Sequence, residues 1–213
     1  MVVVVMVAMI VIVAVMMVVV VVPGHASSIS ESAPDVPSWQ PLGLHMALLA
    51  LADRIDRLNR AVGRAAAWLC LAVALLQFAL VVARYVFSLG SVWLTEAVIY
   101  GHAALITLAA AWTLQAGGHV RVDVFFERAS PRARALIDLV GSLLLLLPFM
   151  LVLLWLAWPY AARSWAILER SREASGLPLV FLLKTLIPVF AALMALQGVA
   201  QAIRAADALS GRR

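Results

Sequence analysis

The side chains best suited to ligate a metal or move a proton are few in this 213-residue sequence: four histidines, one cysteine and eleven carboxylates. His102 is the only histidine well inside a long apolar run. His119 closes the same run about five helical turns away, so one metal cannot take both from one helix. His25 and His45 precede the apolar runs, and no His-x-x-x-His or Cys-x-x-Cys spacing occurs. The lone Cys70 has no intrachain disulfide partner. A haem held between helices needs two histidines at matching depth. A haem-bearing anchor of a membrane oxidoreductase therefore rests on His102 alone. No nucleophile–base pair, phosphate loop or carboxylate dyad is present, so the expected class is non-enzymatic, without cofactor or metal.

Three other places carry charge in unusual surroundings. Glu96 stands near the start of an apolar run, where the positive end of a helix dipole favours a carboxylate. An ion pair with Arg84 across the short preceding turn, or with a partner subunit, is the functional alternative. Lys184 is the one charge well inside a predicted span; it can snorkel outward, meet a carboxylate within a bundle, or meet a lipid headgroup. Gly117-Gly118-His119-Val120-Arg121-Val122-Asp123 concentrates polar groups between two apolar runs. Its compact alternation after two glycines reads as a docking turn, with a plain solvated loop as the other reading.

The elements that position these residues follow from composition. The chain is 65% hydrophobic and 13% charged, with a mean hydropathy of +1.05, far too apolar for a water-soluble domain of this length. Ala65–Ala83, Ala97–Gly118, Leu139–Ala162 and Thr185–Ile203 carry no charge. Each is about long enough to cross a hydrocarbon core as helix. Barrel strands would be shorter and would alternate. The expected fold is all-α: four core transmembrane helices, an amphipathic helix before the first, and a possible extra apolar helix at the amino end. Residues 1–22 are that extra helix or the translation of a mis-assigned start. Residues 23–43, rich in Pro, Gly and Ser, read as a linker. Residues 44–207 form the membrane domain and 208–213 a cytoplasmic tail.

Leu44, Leu48, Leu51, Ile55, Leu58 and Val62 recur at steps of four and three, which makes them the apolar face of the amphipathic helix. Asp53–Arg57 and Asp56–Arg60 fall at i,i+4 on the other side. The first span ends near Arg84-Tyr85-Val86-Phe87, and the second begins around Trp93. Ser130-Pro131 reads as an N-cap followed by proline at the first helical position. The third helix runs from Pro131 to about Ala162, with Pro148 and Pro159 as bends, and Pro188 kinks the fourth. Helix contacts are expected at the small residues Gly101, Ala104 and Ala111.

Eleven basic residues flank one side of these spans: Arg54, Arg57, Arg60, Arg64, Arg121, Arg128, Arg132, Arg134, Arg204, Arg212 and Arg213. Only Arg84, Arg163, Arg170 and Arg172 flank the other, with Lys184 set aside. The asymmetry places the amino end, the glycine-histidine turn and the carboxyl end in the cytoplasm. It also explains the net charge of +5 without nucleic acid. Trp93, Trp155, Trp158 and Trp165 mark the outer interface, Trp68 and Trp112 the inner one.

Several of these features resemble the small membrane subunit, of DctQ type, of tripartite ATP-independent periplasmic (TRAP) transporters. They are Arg84-Tyr85-Val86-Phe87, Trp93 with Glu96, Gly118-His119-Val120-Arg121-Val122-Asp123, and Lys184 with Pro188 after Gly176-Leu177-Pro178. The resemblance spans about residues 50–207. The family often has paired acids after the tryptophan, where this chain has Thr95 and Glu96, and commonly asparagine where this chain has Ser88. The valine-rich start is not a family feature. The resemblance implies a scaffold in a bacterial inner membrane that braces a large permease subunit, with a periplasmic solute-binding protein delivering an organic acid such as a dicarboxylate. Membrane lipids complete the expected partners. A stand-alone small transporter or channel is a further reading, against which the Leu, Ala and Val interiors of the spans argue.

Overall fold

The computed structural model describes residues 42–119 and 129–210. These residues form α1 (Leu42–Val86), α2 (Val92–Gln115), α3 (Pro131–Val140), a π-helical segment (Gly141–Leu146), α4 (Leu147–Ala166) and α5 (Val180–Leu209). No strand occurs among the described residues. α3, the π segment and α4 run on as one rod, which gives four helices long and apolar enough to cross a membrane. Residues 1–41, with the extra helix and most of the linker expected there, lie outside the described residues, as do Arg121 and Asp123.

The amphipathic helix and the first span are one unbroken helix of 45 residues, about 68 Å long. That is over twice the hydrocarbon thickness. Most of its leucine stripe faces away from the other helices. Leu44 is 69% exposed, and Leu48, Leu51 and Leu58 are also exposed. Ile55 of that stripe and Leu80 are buried, as is a seam of Ala52, Asp56, Asn59, Gly63, Ala66, Cys70 and Val73. This seam repeats at steps of four and three, and it is made of small and polar residues. In lipid, leucine gains little by leaving acyl chains, whereas small residues let backbones approach and polar ones find partners. At Gly63 a Cβ would lie 2.6 Å from Cβ of Trp112, so α1 and α2 close onto each other there. Gly101 faces Val73 in the same seam, and a Cβ there would come within 2.7 Å of it.

α5 is the hub: α1 and α2 pack on one side of it, and α3, the π segment and α4 on the other. The middle of the bundle is filled by Ala111 of α2, Met150 of α4, and Ala191, Met194 and Ala195 of α5. Ala111 is fully inside this cluster, as expected of a helix contact, and Ala104 is half-buried.

The chain signals for helix ends act as expected. Ser130 caps α3 by accepting from the Ala133 N–H, with Pro131 at the first position. Gly117, at φ 69°, ends α2: its N–H reaches the Leu114 carbonyl and that of Gly118 the Thr113 carbonyl. That pair of bonds is a Schellman closure and explains the glycines. Pro148 lacks an N–H and would crowd the Leu144 carbonyl; the chain meets this with the wider π turns just before it. α4 continues to Ala166, about a turn beyond its expected end, and α5 to Leu209, nearly two turns beyond.

Candidate functional site

Polar side chains gather at the two ends of the bundle. The tail end holds the start of α1 and the finish of α5. There Asp56, 4% exposed, and Asn59, 1% exposed, face Gln197 of α5. Gln197 Nε2 donates to Asp56 Oδ1 at 2.9 Å, and Asn59 Nδ2 donates to Gln197 Oε1 at 2.7 Å. The direction is fixed by Asp56. A carboxylate only accepts, so Gln197 must turn its amide NH2 toward it and its oxygen toward Asn59. Arg204 closes the array with an ion pair to Asp56 and a 2.8 Å hydrogen bond to Asp53. One turn further out, His45 Nε2 lies 2.7 Å from Asp207 Oδ1. Asp53 and Asp56 thus bind across to α5, not to Arg57 and Arg60 along their own helix.

The loop end holds the α1–α2 turn and the segment from Ile167 to Leu179 between α4 and α5. Two charged residues fasten that segment. Glu96 of α2 accepts from the Ser171 hydroxyl and, at 2.6 Å, from the Leu177 N–H. Lys184 of α5 donates to Glu169 at 2.6 Å and stands 4.2 Å from the centre of the Tyr160 ring. The Lys184 hydrogen bond holds the Glu169 carboxyl below the usual carboxylate range. Leu168 is left-handed at φ 46°, a conformation a leucine adopts at a cost, and that turn aims Glu169 at Lys184. Gly176 fits closely here, since a Cβ would fall 2.8 Å from the second Glu96 oxygen. Trp165 adds a 2.8 Å bond from its ring N–H to Thr185 and an edge contact with Phe181.

The structure therefore brings Glu96 and Lys184 together on one loop, although neither touches the other. Glu96 binds that loop and not Arg84, which lies exposed in the last turn of α1. Trp93 is exposed beside it. Ser88, where the family favours asparagine, sits at φ 55°, a region that asparagine tolerates better than most residues. Gly118 and His119 are at the tail end, where the His119 ring nitrogen lies 3.2 Å from the Ala110 carbonyl. Pro188 is buried in α5 and shares a lateral groove with Pro159 and Trp155. Trp112, expected at an interface, is half-buried against Gly63. His102 points outward from α2, and the other described histidines, His45 and His119, lie at the tail end. The haem reading gains no support from this arrangement. No cluster of three His, Cys, Asp or Glu occurs among the described residues.

The Asp56–Gln197–Asn59–Arg204 array was not singled out from the sequence. Its signal was there: Gln197 is a polar residue in an uncharged span, and Asn59 lies in step with Ala52, Asp56, Gly63 and Ala66.

Four long apolar rods, tied to one another by a few polar side chains, define a multi-span helical membrane protein. Residues 73–208 match the family model for "Tripartite ATP-independent periplasmic transporters, DctQ component". The chain belongs to this family, the DctQ components of TRAP transporters. No curated protein and no solved structure matches it.

Proposed function

We propose that this chain is the small, non-catalytic permease subunit that braces the large transport subunit during cation-coupled uptake of organic acids such as dicarboxylates. A periplasmic solute-binding protein delivers the cargo. The observation that carries this reading is how the spans distribute their surface. Between 11% and 28% of each span's most apolar window is buried within the chain, and α4 turns Phe149, Val152, Trp155 and Leu156 outward. Meanwhile the bundle middle is packed with alanine and methionine. Such a molecule has much to offer a neighbouring membrane protein and little to offer a polar solute.

In this proposal the tail end, with the glycine-histidine turn, faces the cytoplasm of an inner membrane. Arg121 and Asp123 follow Gly118 and dock the large subunit, while Glu96 and Lys184 set the shape of the outer loop. Arg84, Trp93 and His119 belong to the same docking surfaces, and Pro188 shapes the fourth span. Tagged chain should co-purify a large membrane partner, and its deletion should abolish organic-acid uptake. Arg121→Ala should lower the yield of the complex while leaving membrane insertion intact. Uptake that survives deletion, with no partner recovered, would sink the proposal.

A further inference from the structure

α1 and α3 both lean on α5 near the tail end but make little contact with each other. The gap between them is a groove of about 490 Å³. Its walls are apolar: Leu49 from α1, Leu139, Leu143 and Leu147 from the facing rod, and Val199 and Ile203 from α5. Its mouth is polar, formed by His45, Asp207 and Ser210. A span of roughly 20 residues counted from Val180 is used up near Val199. The mouth, about 12 Å further along α5, then falls at headgroup depth, with the walls reaching into hydrocarbon.

The charge at the mouth selects among headgroups. Asp207 contributes a carboxylate, and α5 ends there, at Leu209. The finish of a helix carries partial negative charge from its last carbonyls. His45, bonded to Asp207 through Nε2, keeps its other ring nitrogen for a further partner. Carboxylate, helix end and the accepting Nδ1 of the imidazole together suit an ammonium, a group that only donates. We propose that this groove holds one acyl chain of a bilayer phospholipid, with an ammonium-bearing headgroup seated at the Asp207–His45 rim.

The test uses the full chain in vesicles doped with photoactivatable phosphatidylethanolamine or phosphatidylglycerol, the reactive group being on the acyl chain. Adducts should concentrate on residues 139–147 and 199–206, and phosphatidylethanolamine should exceed phosphatidylglycerol about two- to fivefold, the scale of one charge at a helix end. Ala206 is exposed and lines the groove, so Ala206→Trp should fill it without disturbing packing. Displacing two methylenes from such a groove lowers occupancy about tenfold. Asp207→Asn keeps a partner for His45 and should remove only the headgroup preference. Adducts spread evenly over the outward face of α4, or unchanged by Ala206→Trp, overturn the site. An equal or reversed lipid preference overturns the headgroup assignment. A photo-crosslinker at position 206 that captures residues 1–41 or a second protein overturns the lipid as occupant.

Discussion

Asp53 and Asp56 bind the same arginine from different depths, which makes them a controlled comparison. The side chain of Asp56 is 5% exposed and that of Asp53 is 67% exposed. Removing Asp56 leaves the Gln197 NH2 buried without an acceptor, a loss of about 1–3 kcal/mol. Removing Asp53 deletes a solvated pair, where the median effect is about 0–1 kcal/mol. Thermal unfolding in detergent should therefore fall clearly for Asp56→Ala and hardly move for Asp53→Ala. Equal shifts would mean that the Gln197 array contributes nothing. The sequence does contain both aspartates at helical spacing to arginines, which suggested pairs along α1. It could not show that Arg204, about 150 positions away, offers a better partner, because long-range pairing depends on how the helices cross.

At the scale of elements, number and order of spans were legible because a bilayer permits only one length and one backbone solution for such apolar runs. Helix ends were legible where chemistry is local, as at Ser130-Pro131 and Gly117. The face of α1 was not. Leu44, Leu48, Leu51 and Leu58 mark an apolar face, and in water such a face is the packed side, because burial of leucine drives association. In a membrane that drive is absent, and the small seam through Gly63 becomes the contact. Gly63→Ala should force α1 and α2 apart, because its new methyl group meets Cβ of Trp112, which no rotamer can move. A loss of about 1–3 kcal/mol is expected. Gly141→Ala meets nothing within 4 Å and should be neutral or stabilising. Unfolding temperatures of the two variants that move together would refute this seam. The fastening of the Ile167–Leu179 loop by Glu96 and Lys184 depends on α2 and α5 beginning at the same level, which spacing alone does not reveal.

For the whole molecule, the arginine asymmetry predicts an orientation that single cysteines can check. In a Cys70→Ala background, Gly90→Cys in the α1–α2 turn should react with a membrane-impermeant maleimide in intact spheroplasts. Ser210→Cys should react only after permeabilisation. The reverse pattern would invert the molecule in the membrane.

Because α5 follows every described helix that leans on it, synthesis has an unavoidable waiting period. The first hairpin can form early, since α1 and α2 already hold each other. The following rod then has no durable neighbour until α5 leaves the ribosome and slots between them. A chain stopped near residue 180 would be an inserted but unassembled set of helices, and the thirty residues of α5 act as the keystone of biogenesis as much as of the finished protein.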